Sequence, residues 1–267
     1  MSELLEILSY PFAYRALIAG SLISVCASVL GVILVLKHYS LIGHGLSEIG
    51  FASLSVSSAL GLPPMYVAAP SVFIASFVIM FVSRKYRTAG DIAIAAASSS
   101  ALALGIAVSS LTGSASNMGS YLFGSVLAMS EGDLWFSVVL SLAVMATFII
   151  FYNRLFLITY NEDYARSLGI NPAFWQFVIS ILTALVVVMG MRMTGTLLIS
   201  GVVILPAVTA KNLASGFRSL VVVSGAVSFI AFIGGLILSF IVNIPAGAGV
   251  ILMNSAILIL VKVLVKS

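Results

Sequence analysis

Charged side chains are scarce in this chain of 267 residues, in which aspartate, glutamate, lysine and arginine together make up 7%. Apolar residues make up 61%, and the mean hydropathy is +1.24. Because a soluble domain carries roughly 25% charged residues, a water-soluble globule of this size would lack the side chains to cover its surface. The composition argues against a soluble enzyme, a nucleic-acid-binding protein or a disordered chain, although the pI is near 9.3. It predicts a chain embedded in a lipid bilayer.

Cysteine and the common catalytic motifs are also lacking. The single cysteine, Cys26, lies in an apolar run, so an intrachain disulfide or a CxxC metal site is excluded. The sequence has no phosphate-binding GxxxxGK[ST], no GxSxG and no HExxH. We therefore do not expect an enzyme, or a chain that hydrolyses ATP itself. Glu3 and Glu6 come without an early lysine or arginine, so a cleaved secretory signal is not expected.

Long apolar runs predict about eight or nine membrane-spanning helices in a single transmembrane domain over residues 1–267. A β-barrel would instead show alternating segments of ~10 residues. The second run is the weakest, because it contains His44, Glu48 and several serines, and its removal leaves the alternative count of eight. A loop is expected at 113–132. The predicted spans are 12–36, 44–62, 65–83, 92–111, 134–153, 172–191, 193–210, 219–242 and 248–265.

Basic residues fall mainly on one side when the loops between these spans are alternated. Ten of them share that side, and only Arg15 and Arg192 lie on the other. Because basic loops stay in the cytoplasm, the C-terminus is predicted to be cytoplasmic and, with nine spans, the N-terminus to be outside. The ten residues are Lys37, Arg84, Lys85, Arg87, Arg154, Arg166, Lys211, Arg218, Lys262 and Lys266.

The segment GHGLSEIG at 43–50 carries the residues best suited to a chemical role. His44 and Glu48 are four residues apart, so on a helix they share one face. Glu48 is the only acid that the predicted topology puts inside the bilayer, where a charge costs at least ~2.5 kcal/mol unless it faces a cavity or a partner. An imidazole and a carboxylate on one face form a half-site for a divalent cation. Two copies in a two-fold dimer would supply enough ligands for tetrahedral zinc.

Two other interpretations of His44 and Glu48 stay open from the residues alone. The two side chains could satisfy each other through an intrahelical hydrogen bond near the membrane surface. Alternatively, Glu48 could relay protons in a carrier that needs no ATPase. Manganese or ferrous iron, if bound, would need further oxygen ligands.

The longest polar segment, RLFLITYNEDYARSLGIN at 154–171, contains a second candidate element. Asn161 is a suitable N-cap for a short helix with Glu162 and Asp163 in its first turn, and Gly169 is a suitable end. A short helix lying under the membrane would provide a docking element for another protein. A solvated linker is the alternative.

Five segments along the chain resemble, in their order, the membrane permease of zinc- and manganese-type ABC importers, the zinc-uptake permease family. The resemblance covers about residues 12–260. The segments are GVILVLKHYSLIGHGLSEIGF (31–51), GDIAIA (90–95), YLFGSVLAMSEGDL (121–134), YARSLGINP (164–172) and GMRMTGTLLISGVVILPAVTA (190–210).

The resemblance implies an all-helical, homodimeric permease of a prokaryotic cell (inner) membrane. It implies two cytoplasmic ATP-binding subunits and an extracytoplasmic metal-binding protein that delivers the cargo. No permanently bound cofactor is implied, and a divalent metal cation is the transported substrate. Residues 160–172 would hold the coupling helix that fits a groove of the ATPase. Its predicted contacts are Glu162, Asp163, Tyr164, Ala165, Arg166, Ser167, Leu168 and Gly169.

One motif departs from the family's pattern. The family's second span usually begins Gly-Asp-x-Leu-x-His, and its aspartate and histidine are taken as ligands of the metal pathway. The matching positions here are His44 and Glu48, so the acid and the imidazole have changed places while their spacing is kept. The resemblance thus implies that these two residues are the metal ligands, with zinc favoured and manganese or iron possible. An ABC permease for a small non-metal nutrient stays an alternative.

Overall fold

The protein is built from α-helices throughout the residues that the structure describes. This computed structural model describes residues 11–39, 41–85, 90–113, 122–124 and 131–266, and no strand occurs among them. The predicted all-α class is confirmed over this part of the chain. The helices are α1 (Pro11–Leu36), α2 (Ile42–Ala59), α3 (Pro64–Lys85), α4 (Gly90–Leu111), α5 (Glu131–Ile150), α6 (Tyr152–Tyr160), α7 (Glu162–Ser167), α8 (Pro172–Thr194), α9 (Ile199–Leu213), α10 (Phe217–Val242) and α11 (Ala246–Lys266).

Every predicted span overlaps a helix, but not every helix meets the requirements for crossing a bilayer by itself. Five helices are long and apolar enough, or six if the bent pair α5 and α6 counts as one span. The described parts of α3 and α9 give shorter apolar helices, Tyr66–Ile79 and Ile199–Leu213. Helix α2 is in neither group, since His44, Glu48 and its serines make it more polar. A multi-pass helical architecture follows, whereas the count of eight or nine spans is not confirmed. Most of the predicted loop at 113–132 lies outside the described residues.

The short helix α6 differs from the sequence-based prediction. The sequence predicts a span to residue 153 and then a polar loop, but α5 ends at Ile150 and α6 leaves it at an angle of 73°. Leu155 and Ile158 of α6 are fully buried, while Tyr160 is exposed. Residues 154–160 are therefore helical rather than a loop, because an apolar face in an otherwise polar segment packs against the bundle.

Helix α1 packs against α5, α8, α9 and α10. A pair of serines joins α1 to α10, since the Oγ atoms of Ser24 and Ser228 are 2.6 Å apart. A second pair, Ser76 and Ser180, joins α3 to α8 with an Oγ–Oγ distance of 2.7 Å. Between helices in lipid, apolar burial gives little net gain, so small residues and interhelical hydrogen bonds support their association.

The helices differ strongly in how much of their surface the bundle covers. In their apolar windows, 78% of the residues in α1 and 72% in α8 are buried, against 22% in α4 and 17% in α11. Helix α2 is enclosed by α3, α4, α8 and α9, and most of its residues are buried. The polar α2 therefore lies inside the bundle, and the exposed faces of α4 and α11 are available to lipid or to another chain.

Contacts at the two ends of the bundle agree with the predicted alternation of loops. Arg15 at the start of α1 forms an ion pair with Glu131 at the start of α5. At the opposite end, Lys37 after α1 forms an ion pair with Glu162 in α7. Each pair joins residues that the charge pattern puts on one side of the membrane. Which of the two ends is cytoplasmic stays a prediction.

Candidate metal site

A tight turn joins α1 to α2 and sets where the site helix begins. His38 has a left-handed backbone (φ 59°), and its N–H donates to the Val35 carbonyl (3.3 Å). The Tyr39 N–H donates to the Leu34 carbonyl (2.8 Å), which completes the Schellman pattern in which helices commonly end. The Ile42 N–H then donates to the Tyr39 carbonyl (3.1 Å), so the connection from α1 to α2 is short and hydrogen-bonded.

His44 and Glu48 meet on one face of α2, as their spacing predicts. The distance between His44 Nε2 and Glu48 Oε1 is 3.3 Å. The His44 side chain is 44% exposed and the Glu48 side chain 7% exposed. The imidazole is thus accessible from outside the chain, and the carboxylate lies behind it.

The second oxygen of Glu48 distinguishes this arrangement from a self-sufficient pair. Glu48 Oε2 is buried and has no hydrogen-bond partner. A buried acceptor without a partner costs about 1–3 kcal/mol, and more when it is charged. The contact with His44 accounts for one oxygen only, so an intrahelical His44–Glu48 pair does not satisfy the carboxylate. The unpaired oxygen is suited to accept a hydrogen bond from a ligand or to bind a cation.

Two glycines bring neighbouring helices close to the site helix. A Cβ on Gly50 would lie 2.6 Å from Sδ of Met191 in α8, and one on Gly45 would lie 2.9 Å from Cγ2 of Ile94 in α4. Side chains larger than hydrogen would therefore force these neighbours to move. Because α2 is held from two sides, packing against α4 and α8 sets the position of Glu48.

One chain supplies an incomplete ligand set. Within the described ranges, no group of three or more histidine, cysteine, aspartate or glutamate residues could hold a metal ion. His44 and Glu48 therefore correspond to half of a typical four-ligand site. The role of the two residues as metal ligands stays a prediction.

The short helix α7 forms where the sequence predicts a docking element. The Asn161 side chain accepts hydrogen bonds from the N–H groups of Asp163 and Tyr164, each 3.0 Å long. Gly169 ends the segment in a left-handed conformation (φ 76°). These caps confirm the predicted local structure, because both depend on residues close by in the chain.

The predicted coupling residues separate into an outward and an inward set. Ala165 is fully buried, and Glu162 Oε1 accepts hydrogen bonds from Lys37 Nζ (2.6 Å) and Gln176 Nε2 (2.7 Å). The exposed set consists of Asp163, Tyr164, Arg166, Ser167, Leu168 and Gly169. Six of the eight predicted contact residues are therefore exposed and available to a partner, and the other two make contacts within the chain itself.

Comparison with known proteins gives the family. The sequence matches the ABC 3 transport family over residues 9–265. The chain belongs to this family. It is 30% identical over 253 residues to the manganese import system permease protein ScaB of Streptococcus gordonii, covering 95% of this chain and 91% of that protein. It is 27% identical over 252 residues to the high-affinity zinc uptake system membrane protein ZnuB of Haemophilus influenzae, covering 94% of this chain and 97% of that protein.

The fold of this ABC 3 family chain is similar to a solved structure, PsaBC from Streptococcus pneumoniae in complex with Fab. The TM-score is 0.86 at 27% identity, covering 97% of this chain and 94% of that chain. Together with the sequence match, this confirms the resemblance to the permeases of metal-importing ABC transporters. The related proteins are membrane subunits of transport systems, and the chain is accordingly a multi-pass bacterial membrane protein.

Sequence reasoning missed Lys37 and Gln176 as partners of Glu162. The only available signal was charge, because Lys37 is a basic residue just after α1 and Glu162 is an acid in the predicted docking helix. The two residues are 125 positions apart, so no local pattern connects them.

Proposed function

We propose that this ABC 3 family chain is the membrane-spanning subunit of an ATP-driven importer that moves a divalent metal cation into the cytoplasm. The observation that carries the proposal is the Glu48 carboxylate, which is buried beside a half-exposed imidazole with one oxygen unpaired. Ionisable groups inside membrane bundles are expensive and commonly mark the pathways of ions. The relatives named for manganese import and zinc uptake support a metal as the cargo.

A second copy of the chain completes the metal site in this proposal. His44 and Glu48 from two protomers supply two imidazoles and two carboxylates at the dimer interface, a suitable set for tetrahedral zinc. Zinc is therefore the favoured cargo on ligand chemistry. Manganese or ferrous iron would recruit further oxygen ligands, and the named relatives support testing zinc and manganese first.

The proposed complex contains partners on both sides of the membrane. Two cytoplasmic ATP-binding subunits bind the exposed face of α7, and an extracytoplasmic metal-binding protein delivers the cation. The C-terminus is cytoplasmic in this arrangement, because the basic residues, Lys37 among them, then face the cytoplasm. ATP hydrolysis takes place in the separate subunit.

The proposed transport cycle uses α7 as the coupling helix. ATP binding closes the ATPase dimer, and α7 carries that rigid-body movement into the permease. The cavity opens outward to take the cation and later opens inward. His44 and Glu48 hold the cation only briefly, since a pathway site has to release its ion. His44 binds the metal as a neutral imidazole, so lowering the pH should weaken binding.

The proposal is tested by uptake into vesicles that contain the permease with its ATP-binding subunit and binding protein. Zn²⁺, Mn²⁺ and Fe²⁺ are supplied separately, with and without ATP. We expect the double variant H44A/E48A to abolish metal uptake while the complex still assembles, because it removes both ligands of each half-site. The matched control is His38→Asn, which changes the other histidine at an exposed position where asparagine tolerates the left-handed backbone.

Undiminished metal uptake by H44A/E48A would reject the proposed site. Uptake without ATP, in a preparation from which no ATP-binding subunit copurifies, would indicate the carrier alternative instead. Uptake of a small organic nutrient but of none of the three metals would indicate an ABC permease with a different substrate.

A further inference from the structure

Glu162, the first residue of α7, makes its side-chain hydrogen bonds with other parts of the chain. Its Oε1 accepts hydrogen bonds from both Lys37 Nζ (2.6 Å) and Gln176 Nε2 (2.7 Å). The side chain of Lys37 is 5% exposed, and Gln176 is equally well buried. Hydrogen bonds between a charged donor and a charged acceptor are about twice as strong as neutral ones. Removing either partner of such a sheltered pair takes away the compensation that it gives to the other charge.

The neighbouring acid on α7 behaves in the opposite way. The Asp163 side chain is 91% exposed, and its contact with Arg166 measures 4.0 Å. A surface pair at that distance contributes little. Glu162 and Asp163 are adjacent in the sequence, yet Glu162 is bound to the permease and Asp163 is available to a partner.

Lys37 connects Glu162 to the site helix. It follows α1 directly, and its backbone N–H donates to the Ile33 carbonyl (3.0 Å). The hydrogen-bonded turn after Lys37 leads into α2 at Ile42, and His44 lies in the first turn of α2. Because the turn between α1 and α2 is short and hydrogen-bonded, we expect a displacement of Lys37 to move the end of α2 that carries His44.

Gln176 gives a second connection to the same helix. It belongs to α8, whose far end packs Met191 against Gly50 of α2. The carboxylate of Glu162 therefore joins α7 to both structures that position the metal site: the turn before α2, and the helix α8 beside it.

We propose that Glu162 is a positioning residue that transmits movement of the coupling helix to α2 through Lys37 and Gln176, and that it makes no docking contact with the ATPase. The inference rests on the proposed function, since it assumes that α7 moves with an ATP-binding subunit. It assigns different tasks to the two sides of α7: the exposed set binds the partner, and Glu162 passes the movement inward.

The test compares Lys37→Met and Glu162→Gln in proteoliposomes that contain the complete complex. The measurements are Zn²⁺ ions taken up per ATP hydrolysed, the amount of ATP-binding subunit retained, and the thermal midpoint of the complex. We expect uptake per ATP to fall about tenfold in both variants, in the range of typical coupling between sites, while the ATP-binding subunit is retained. The matched control is Lys262→Met, which removes an exposed lysine of α11.

A charge exchange provides the second variant. In K37E/E162K the opposite charges are restored in reverse order, and Gln176 can rotate its amide to present oxygen to the introduced lysine. We expect the exchange to recover at least half of the lost uptake per ATP. Failure to recover in a complex that assembles normally would overturn the inference.

The remaining outcomes are distinguishable. Unchanged uptake per ATP in both single variants would overturn the inference while leaving the proposed function intact. If assembly of the complex is lost in proportion to uptake, the Lys37–Glu162 pair only stabilises the structure. That result would also overturn the inference. If the wild-type complex itself takes up no metal, or retains no ATP-binding subunit, the proposed function fails.

Discussion

Glu48 and Glu162 are two acidic side chains that differ in both burial and hydrogen bonding. Glu48 is almost completely buried, has one oxygen 3.3 Å from Nε2 of the half-exposed His44, and leaves the other oxygen without a hydrogen bond. Glu162 is 33% exposed and holds both an ammonium and an amide on a single oxygen. The more deeply buried carboxylate therefore has the poorer set of partners, which is the reverse of what stability alone would favour.

The difference suggests different roles: Glu48 is suited to bind a ligand, and Glu162 connects two parts of the structure. Around Glu48, glycines pack against α4 and α8 and set the position of the helix, so we expect the structure to form without the carboxylate. Around Glu162, the hydrogen bonds themselves connect α7 to Lys37 and α8. Glu48 has an unpaired buried oxygen, whereas Glu162 is hydrogen-bonded. We therefore expect mutation of these two groups to change the stability of the protein in opposite directions.

The largest expected contrast is in metal affinity. Glu48→Gln should lower the Zn²⁺ affinity of the purified permease dimer by at least about 10–100-fold, because it removes one anionic ligand from each protomer. Glu162→Gln should leave that affinity within about twofold, because Glu162 is not one of the proposed ligands. A twofold change corresponds to well under 1 kcal/mol. Equilibrium dialysis against Zn²⁺ measures both values. Equal losses in the two variants would contradict the assignment of Glu48 as the ligand.

Variants at the two sites are expected to change the thermal stability of the protein in opposite directions. Glu48→Leu replaces a buried carboxylate that has an unpaired oxygen by an apolar group of similar size, so it should raise the thermal midpoint, with a gain of about 1–2 kcal/mol. Lys37→Met removes the ammonium that donates to Glu162 Oε1 and should lower the midpoint by a comparable free energy. Thermal unfolding of the detergent-solubilised dimer checks both signs. A lower midpoint in Glu48→Leu would show that the carboxylate is structural.

The smallest contrast lies within α7. Replacing the exposed Tyr164 and Leu168 by alanine should weaken association with the ATP-binding subunit about tenfold, because tyrosine is one of the residues that most often carry the binding energy of an interface and the leucine adds apolar contact area. Glu162→Gln should leave that association unchanged. Binding of the isolated ATP-binding subunit to the permease in nanodiscs gives the comparison, with Tyr66→Ala, another exposed tyrosine, as the control. Equal weakening by Glu162→Gln would indicate that Glu162 docks as well.

Local structure in both regions was predictable from neighbouring residues. The N-cap at Asn161, the helix end at Gly169 and the shared face of His44 and Glu48 all follow from spacings of a few residues. The positions of the long helices were likewise predictable, because apolar runs bounded by charges mark membrane helices. The bend before α6 was not, since it depends on how Leu155 and Ile158 pack against the bundle.

By itself, the sequence determined that this is an all-helical membrane protein, roughly where its long helices lie, and that an imidazole and a carboxylate share one face of the second helix. These features depend on composition and on short-range periodicity. Only the tertiary structure decided that Glu48 keeps an unpaired oxygen and that Glu162 turns inward to Lys37 and Gln176. The physical reason is that these features depend on how separate helices pack: Lys37 is 125 positions from Glu162, and the surroundings of Glu48 Oε2 are set by neighbouring helices, so no local pattern in the sequence specifies them.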